Sequence, residues 1–139
     1  MRNLKVGDVM SREFVSVKPD TSLIRCAELI VKNKIGFLIV SKNGELSGIL
    51  TGRDILWTIT KMKSKDTLKF TKAGDVATKN PKFITPEITV EKAVLEMRHF
   101  NVDRMPIVED NKVVGIISFY YLIKMDPDLI EELEEKQIK

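Results

Sequence analysis

Cysteine and histidine are almost missing from this chain of 139 residues, which has one of each, Cys26 and His99. A single cysteine cannot close an internal disulfide, and so small a donor set excludes a cysteine–histidine zinc cluster. Catalysis by a thiol–imidazole pair is equally hard to build, and neither a nucleophile–base–acid set nor a phosphate-cradling glycine loop stands in the sequence. No enzyme activity, metal or required cofactor is therefore expected. Apolar runs fall well short of the roughly 18 to 20 residues of a membrane span, and the start Met1-Arg2-Asn3-Leu4-Lys5-Val6-Gly7 lacks a hydrophobic signal region. The expected location is cytoplasmic. Cys26 lies in an apolar helical pattern and reads as a small buried hydrophobe.

What is present suits a folded chain. With 43% hydrophobic and 31% charged residues, it can bury one ordinary core or two small units packed together. The net charge of +3 is too small to argue for nucleic acid by itself. Its distribution is lopsided: Lys61, Lys63, Lys65, Lys69 and Lys72 crowd the middle, and Glu131, Glu132, Glu134 and Glu135 crowd the end.

The chain repeats itself. Lys5 to Leu56 aligns with Lys72 to Ile123 at a constant offset of 67 without a gap. Gly7-Asp8-Val9 maps to Gly74-Asp75-Val76, Pro19 to Pro86, Ser22 to Thr89, Gly48-Ile49 to Gly115-Ile116, and Thr51 to Ser118. Two repeats follow, over 5–60 and 72–125, with a Lys-rich linker over 61–71 and an acidic C-terminal helix over 126–139. Each repeat reads β-α-β-β-α, an α/β (α+β) class.

In the first repeat a helical turn at Val6 to Met10 precedes a strand at Phe14 to Val17. A helix capped by Thr21 or Ser22 then carries Leu23, Ala27, Ile30 and Val31 on one face. Strands over Ile35–Ser41 and Leu46–Thr51 flank Asn43-Gly44, a hairpin signal, and a second helix runs over Asp54–Thr60. The second repeat gives strands at Lys82–Thr85, Met105–Val108 and Val113–Ser118, with helices at Val90–Phe100 and Tyr120–Met125. A three-stranded sheet with two short helices buries little surface, so the repeats are expected to pack as a pseudo-twofold pair, sheets back to back. Asp126-Pro127-Asp128 starts the last helix, whose thin apolar stripe is Leu129, Ile130, Leu133 and Ile138.

One stretch concentrates polar groups where a strand meets a helix: Gly48-Ile49-Leu50-Thr51-Gly52-Arg53-Asp54. A hydroxyl and a carboxylate three residues apart suit a sugar diol, and a helix start favours anions. The same spacing also describes a simple helix cap. Trp57 reads as packing a core or dimer face, His99 as a surface residue, and the methionines as core filler.

Taken together, Gly7-Asp8-Val9-Met10, Pro19-Asp20-Thr21-Ser22-Leu23, Gly48 to Asp54, and Arg104-Met105-Pro106-Ile107-Val108 resemble a tandem pair of CBS domains, the family named after cystathionine beta-synthase. The resemblance covers about residues 5 to 125. It implies a non-catalytic, regulatory and energy-sensing role, a homodimer, and clefts for an adenine nucleotide or adenosyl compound (AMP, ADP, ATP or S-adenosylmethionine). It also implies an unknown partner protein that the module modulates.

Carried over residue by residue, the resemblance implies one competent cleft. Thr51 and Asp54 meet the ribose and phosphate approach, Ile49 forms an apolar wall, Pro81 and Lys82 edge the base, and Arg104 with Pro106 close the phosphate side. A planar, permanently charged guanidinium pairs well with phosphate oxygens; a surface ion pair with Asp103 or Glu109 is its plainer role. The other cleft would use Val15, Gly36, Phe37, Ile116, Ser118 and Tyr121. There Tyr121 stands at the Asp54 position and Phe37 at the Arg104 position, so both charges are missing and the cleft is expected to be degenerate. Asp103 beside the phosphate position opposes a polyanion. Two other functions compete: nucleic-acid binding through the Lys-rich linker, and a purely structural dimerisation role.

Overall fold

The computed structural model describes residues 3–64, 66–129, 131, 132 and 134. In chain order the elements are α1 (Val6–Val9), β1 (Ser16–Val17), α2 (Leu23–Asn33), β2 (Phe37–Lys42), β3 (Glu45–Thr51), α3 (Gly52–Lys61), α4 (Thr67–Phe70), α5 (Ala73–Val76), β4 (Thr78–Lys79), α6 (Val90–His99), β5 (Arg104–Glu109), β6 (Lys112–Ser118) and α7 (Phe119–Met125). The chain forms two compact units. One comprises Met1–Glu13, Lys82–Asp110 and Val114–Lys139, and the other comprises Phe14–Pro81 and Asn111–Val113. The units thus divide the chain differently from the repeats read in sequence. The head of each repeat folds with the body of the other.

Backbone hydrogen bonds explain the exchange. In the Phe14–Pro81 unit, Ala73 N–H donates to the Thr21 carbonyl and Gly74 N–H to the Pro19 carbonyl, both at 2.8 Å. Val6 N–H and Gly7 N–H make the matching bonds to Ile88 (2.8 Å) and Pro86 (3.0 Å) in the other unit. Both contacts are close ones that glycine accommodates without a shift of its neighbours. A Cβ on Gly74 would lie 3.1 Å from Pro19 Cβ and 3.2 Å from the Pro19 carbonyl oxygen, and one on Gly7 would meet Pro86 at 3.1 and 3.3 Å.

The Phe14–Pro81 unit holds a four-stranded sheet ordered β1-β2-β3-β4. β1 runs parallel to β2, and the other two pairings are antiparallel. Val17, Leu23, Cys26, Leu38, Val40, Leu50, Ile55, Ala73 and Ala77 form its core. Cys26 is fully buried there, as its helical setting predicts. Ser22 Oγ caps α2 by accepting from Arg25 N–H at 3.1 Å. The Asn43-Gly44 turn has φ of 55° and 80°, the left-handed pair that a tight hairpin requires.

β5, in the other unit, pairs with β6, and Asp110 and Asn111 between them make the same turn with φ of 51° and 66°. Thr89 Oγ1 caps α6 through Lys92 N–H at 3.1 Å. Val6, Val90, Val94, Met97, Met105, Ile107, Leu122 and Leu129 belong to its core. Leu129, 1% exposed, anchors the start of the acidic segment, and Glu132 N–H bonds the Asp128 carbonyl at 3.0 Å. Ile130, Leu133 and Ile138, the rest of the expected stripe, lie outside the described residues.

Three expectations are corrected. The strand at Lys82–Thr85 is only a single parallel bridge, Ile84 to Ile107. The reason is Pro106. In the first repeat Ile39 donates its N–H to the Val15 carbonyl at 3.0 Å, but the matching residue Pro106 has no N–H to offer Lys82. The segment over 61–71, expected only as a Lys-rich linker, contains a helical turn at Thr67–Phe70. Thr78–Lys79 adds an edge strand to β3 that the apolar pattern does not show, since both residues are exposed.

Candidate functional site

The strand–helix junction at Thr51 is built by reciprocal capping. Thr51 Oγ1 accepts from Asp54 N–H at 3.0 Å, and Asp54 Oδ2 accepts from Thr51 N–H at 2.9 Å. The plain reading of the T-x-x-D spacing is therefore correct as structure. It leaves chemistry over, because a carboxylate offers about four lone-pair positions. Both side chains are half-buried, and Thr58 Oγ1 ties the next turn to the Asp54 carbonyl at 2.8 Å. Gly52 N–H bonds the Gly36 carbonyl at 3.0 Å, and Phe37 pairs with Thr51 across the strands. Ile49 sits between Ile39 and Thr78 in the sheet. The unit thus gathers Ile49, Thr51 and Asp54 with Gly36 and Phe37 at one sheet end, while Val15 joins through the Ile39 bond and Pro81 follows β4.

The matching junction in the other unit has half of this device. Ser118 Oγ accepts from Tyr121 N–H at 3.0 Å, but no carboxylate stands there to return a bond to Ser118. Tyr121 is half-exposed, and Ile116 exchanges backbone bonds with Ser11. Phe119 N–H bonds the Asp103 carbonyl at 2.7 Å, the equivalent of Gly52 to Gly36. Asp103 and Arg104 follow directly, at the start of β5. Arg104 Nε lies 2.9 Å from Asp103 Oδ1 and Nη2 lies 3.2 Å from Oδ2, so two donors of the guanidinium fork meet both carboxylate oxygens. The hydrogen bonds from Arg104 hold the Asp103 carboxyl below its ordinary pKa. Pro106 is buried two residues on, and Lys82 Nζ sits 5.2 Å from the centre of the Phe100 ring.

Other side chains fall as follows. His99 is exposed, with its ring edge-on to Phe100 at 4.9 Å. Trp57 does not enter a core; it is 64% exposed, with Lys61 Nζ 4.4 Å from its ring centre. A groove of about 480 Å3 lies between α2, α3 and α4, lined by Leu23, Ala27, Val31, Ile55, Ile59 and Leu68 among others. It contains none of the residues anticipated as ligand contacts. The helical stripe Leu23, Ala27, Val31 is its signature in the sequence, but nothing there reveals that α4 closes one side. Among the described residues no cluster of three or more His, Cys, Asp or Glu could hold a metal, and no helix is long and apolar enough to cross a membrane.

Known proteins are similar to this chain in sequence and in fold. The CBS domain family matches residues 6–61 and 73–128. An uncharacterized protein of Methanopyrus kandleri is 28% identical over 142 residues, covering 100% of this chain and 71% of its own length. A homoserine O-acetyltransferase of Methanosalsum zhilinae is 32% identical over 127 residues, yet this chain spans only 24% of that protein. Among solved structures, CBSX2 in complex with AMP superposes with a TM-score of 0.77 at 26% identity, covering 91% of this chain and 98% of that one. The CBS domain pair of protein MJ0100, in complex with 5′-methylthioadenosine and S-adenosyl-L-methionine, superposes at 0.76 with 22% identity over 87% of this chain and 94% of that one, a likeness of fold. With two matched domains accounting for most of its length, this chain belongs to the CBS domain family, as a tandem pair of α/β repeats.

Proposed function

We propose that this chain is a regulatory module that binds an adenine nucleotide, with AMP the best-supported ligand, in one competent cleft per chain. The observation that carries this reading is the asymmetry of the two junctions: Thr51 with an ionisable Asp54 in one, Ser118 with Tyr121 in the other. A carboxylate accepts bonds from a ribose diol, whereas a phenol near neutral pH has no ionised acceptor. In this reading Thr51 and Asp54 hold the sugar, Ile49 walls the base, Pro81 and Lys82 edge it, and Arg104 beside Pro106 meets the phosphate. The solved AMP complex at 26% identity supports the ligand class.

The module works as a homodimer that changes its hold on a partner protein when ligand binds. Exposed Val31 and Ile59 on the α2–α3 face support a protein contact there. Ligand shifts such an equilibrium only through different affinities for two states. Calorimetric titration of the full chain with AMP, ADP, ATP and S-adenosylmethionine tests the reading. Saturable binding that Asp54→Ala weakens at least tenfold supports it; no binding below millimolar concentration contradicts it.

A further inference from the structure

The Asp103–Arg104 pair bears on which nucleotide is taken. Its two parallel contacts, Nε to Oδ1 at 2.9 Å and Nη2 to Oδ2 at 3.2 Å, occupy one of the two guanidinium edges that can pair bidentately with a phosphate. The carboxylate is 70% exposed and Arg104 28%, so the negative group is the one turned more to solvent. Asp103 is not on a loose loop, because its carbonyl is tied to Phe119 N–H at 2.7 Å. Nothing comparable exists at the matching positions of the first repeat, where Gly36 has no side chain and Phe37 no charge.

We infer that Asp103 is a specificity-determining residue that sets the charge of ligand this module accepts, admitting a monophosphate and rejecting a triphosphate. The inference rests on the nucleotide reading above. Arg104 alone would attract phosphate in proportion to its charge. Paired with Asp103 it presents nearly balanced charge, so the added phosphates of a longer chain gain no net attraction from it and face the carboxylate, the more solvent-exposed member of the pair. Like any aspartate, Asp103 is ionised throughout the physiological range, and the hydrogen bonds from Arg104 favour that form further. Coulomb repulsion between such groups in a water-like medium amounts to roughly tenfold in affinity between AMP and ATP.

The test is a calorimetric comparison of AMP and ATP at fixed ionic strength, on the full chain, in wild type, Asp103→Asn and Asp103→Ala. The expected result is a roughly tenfold preference of wild type for AMP that both variants abolish, chiefly by gaining ATP affinity. A preference for ATP in wild type, or an AMP-to-ATP ratio unchanged in both variants, overturns the role of Asp103 while leaving nucleotide binding in place. Absence of binding by either nucleotide in all three proteins overturns the underlying reading, and this inference with it.

Discussion

Thr51 and Asp54 exchange hydrogen bonds across the first turn of α3, hydroxyl to N–H at 3.0 Å and carboxylate to N–H at 2.9 Å. The same two side chains therefore serve stability and, in the proposed function, ligand recognition. The roles separate by substitution. Asp54→Ala loses about 1 kcal/mol of stability, the usual value of a helix cap, and ligand affinity as well. Asp54→Asn keeps an oxygen acceptor while removing the charge. It should unfold within about 0.5 kcal/mol of wild type in urea yet bind AMP at least tenfold more weakly.

Exchange of the repeat heads makes Gly74 sensitive. Alanine there puts a Cβ 3.1 Å from Pro19 Cβ and 3.2 Å from its carbonyl oxygen. Denaturant unfolding should show a loss of about 1–3 kcal/mol, as for other overpacked sites. Gly52→Ala, where a Cβ meets nothing within 4 Å, should stay within about 0.5 kcal/mol of wild type. Equal effects at the two glycines would rule out the close approach.

Leu129 tests whether the acidic segment is part of the fold. It is 1% exposed in the cluster of Val90, Val94 and Leu122, so Leu129→Ala should cost about 2–5 kcal/mol. A stability change under about 0.5 kcal/mol would mean the segment is not docked.

The Asp103–Arg104 pair gives a pH signature. A carboxylate whose folded pKa is depressed stabilises the protein above its unfolded pKa, and that contribution is lost as pH falls through the folded value. Asp103→Asn should therefore reduce the loss of stability on acidification below the ordinary carboxylate range and leave the neutral region nearly flat. The Asp103 carboxylate is largely exposed, so the effect is small and should shrink further in high salt.

Much of this fold is legible in the residues because its signals are local. Ser22 and Thr89 cap helices where their spacing predicts, and Asn43-Gly44 and Asp110-Asn111 turn where two short polar residues interrupt apolar runs. The offset of 67 aligns even single bonds, such as Gly52 to Gly36 and Phe119 to Asp103. What escapes is non-local. The matched glycines Gly7 and Gly74 announce a repeat, but not that each packs on the proline of the other repeat. Pro106 marks the strand pairing it weakens only once Ile39 is seen donating to Val15. At the candidate site, Thr51, Asp54 and Arg104 are readable as residue types. The choice of Asp103, rather than Glu109, as the partner of Arg104 follows from adjacent side chains at the start of β5 that spacing cannot rank.

The central claim is one competent nucleotide cleft per chain, and the stoichiometry of AMP binding tests it most directly. Calorimetry on the purified chain, with protein concentration well above the dissociation constant, should give one AMP per chain, at least tenfold weaker in Asp54→Asn and little changed in Tyr121→Phe. Two equivalent sites per chain, or one site that Asp54→Asn leaves untouched while Tyr121→Phe abolishes it, would contradict the account.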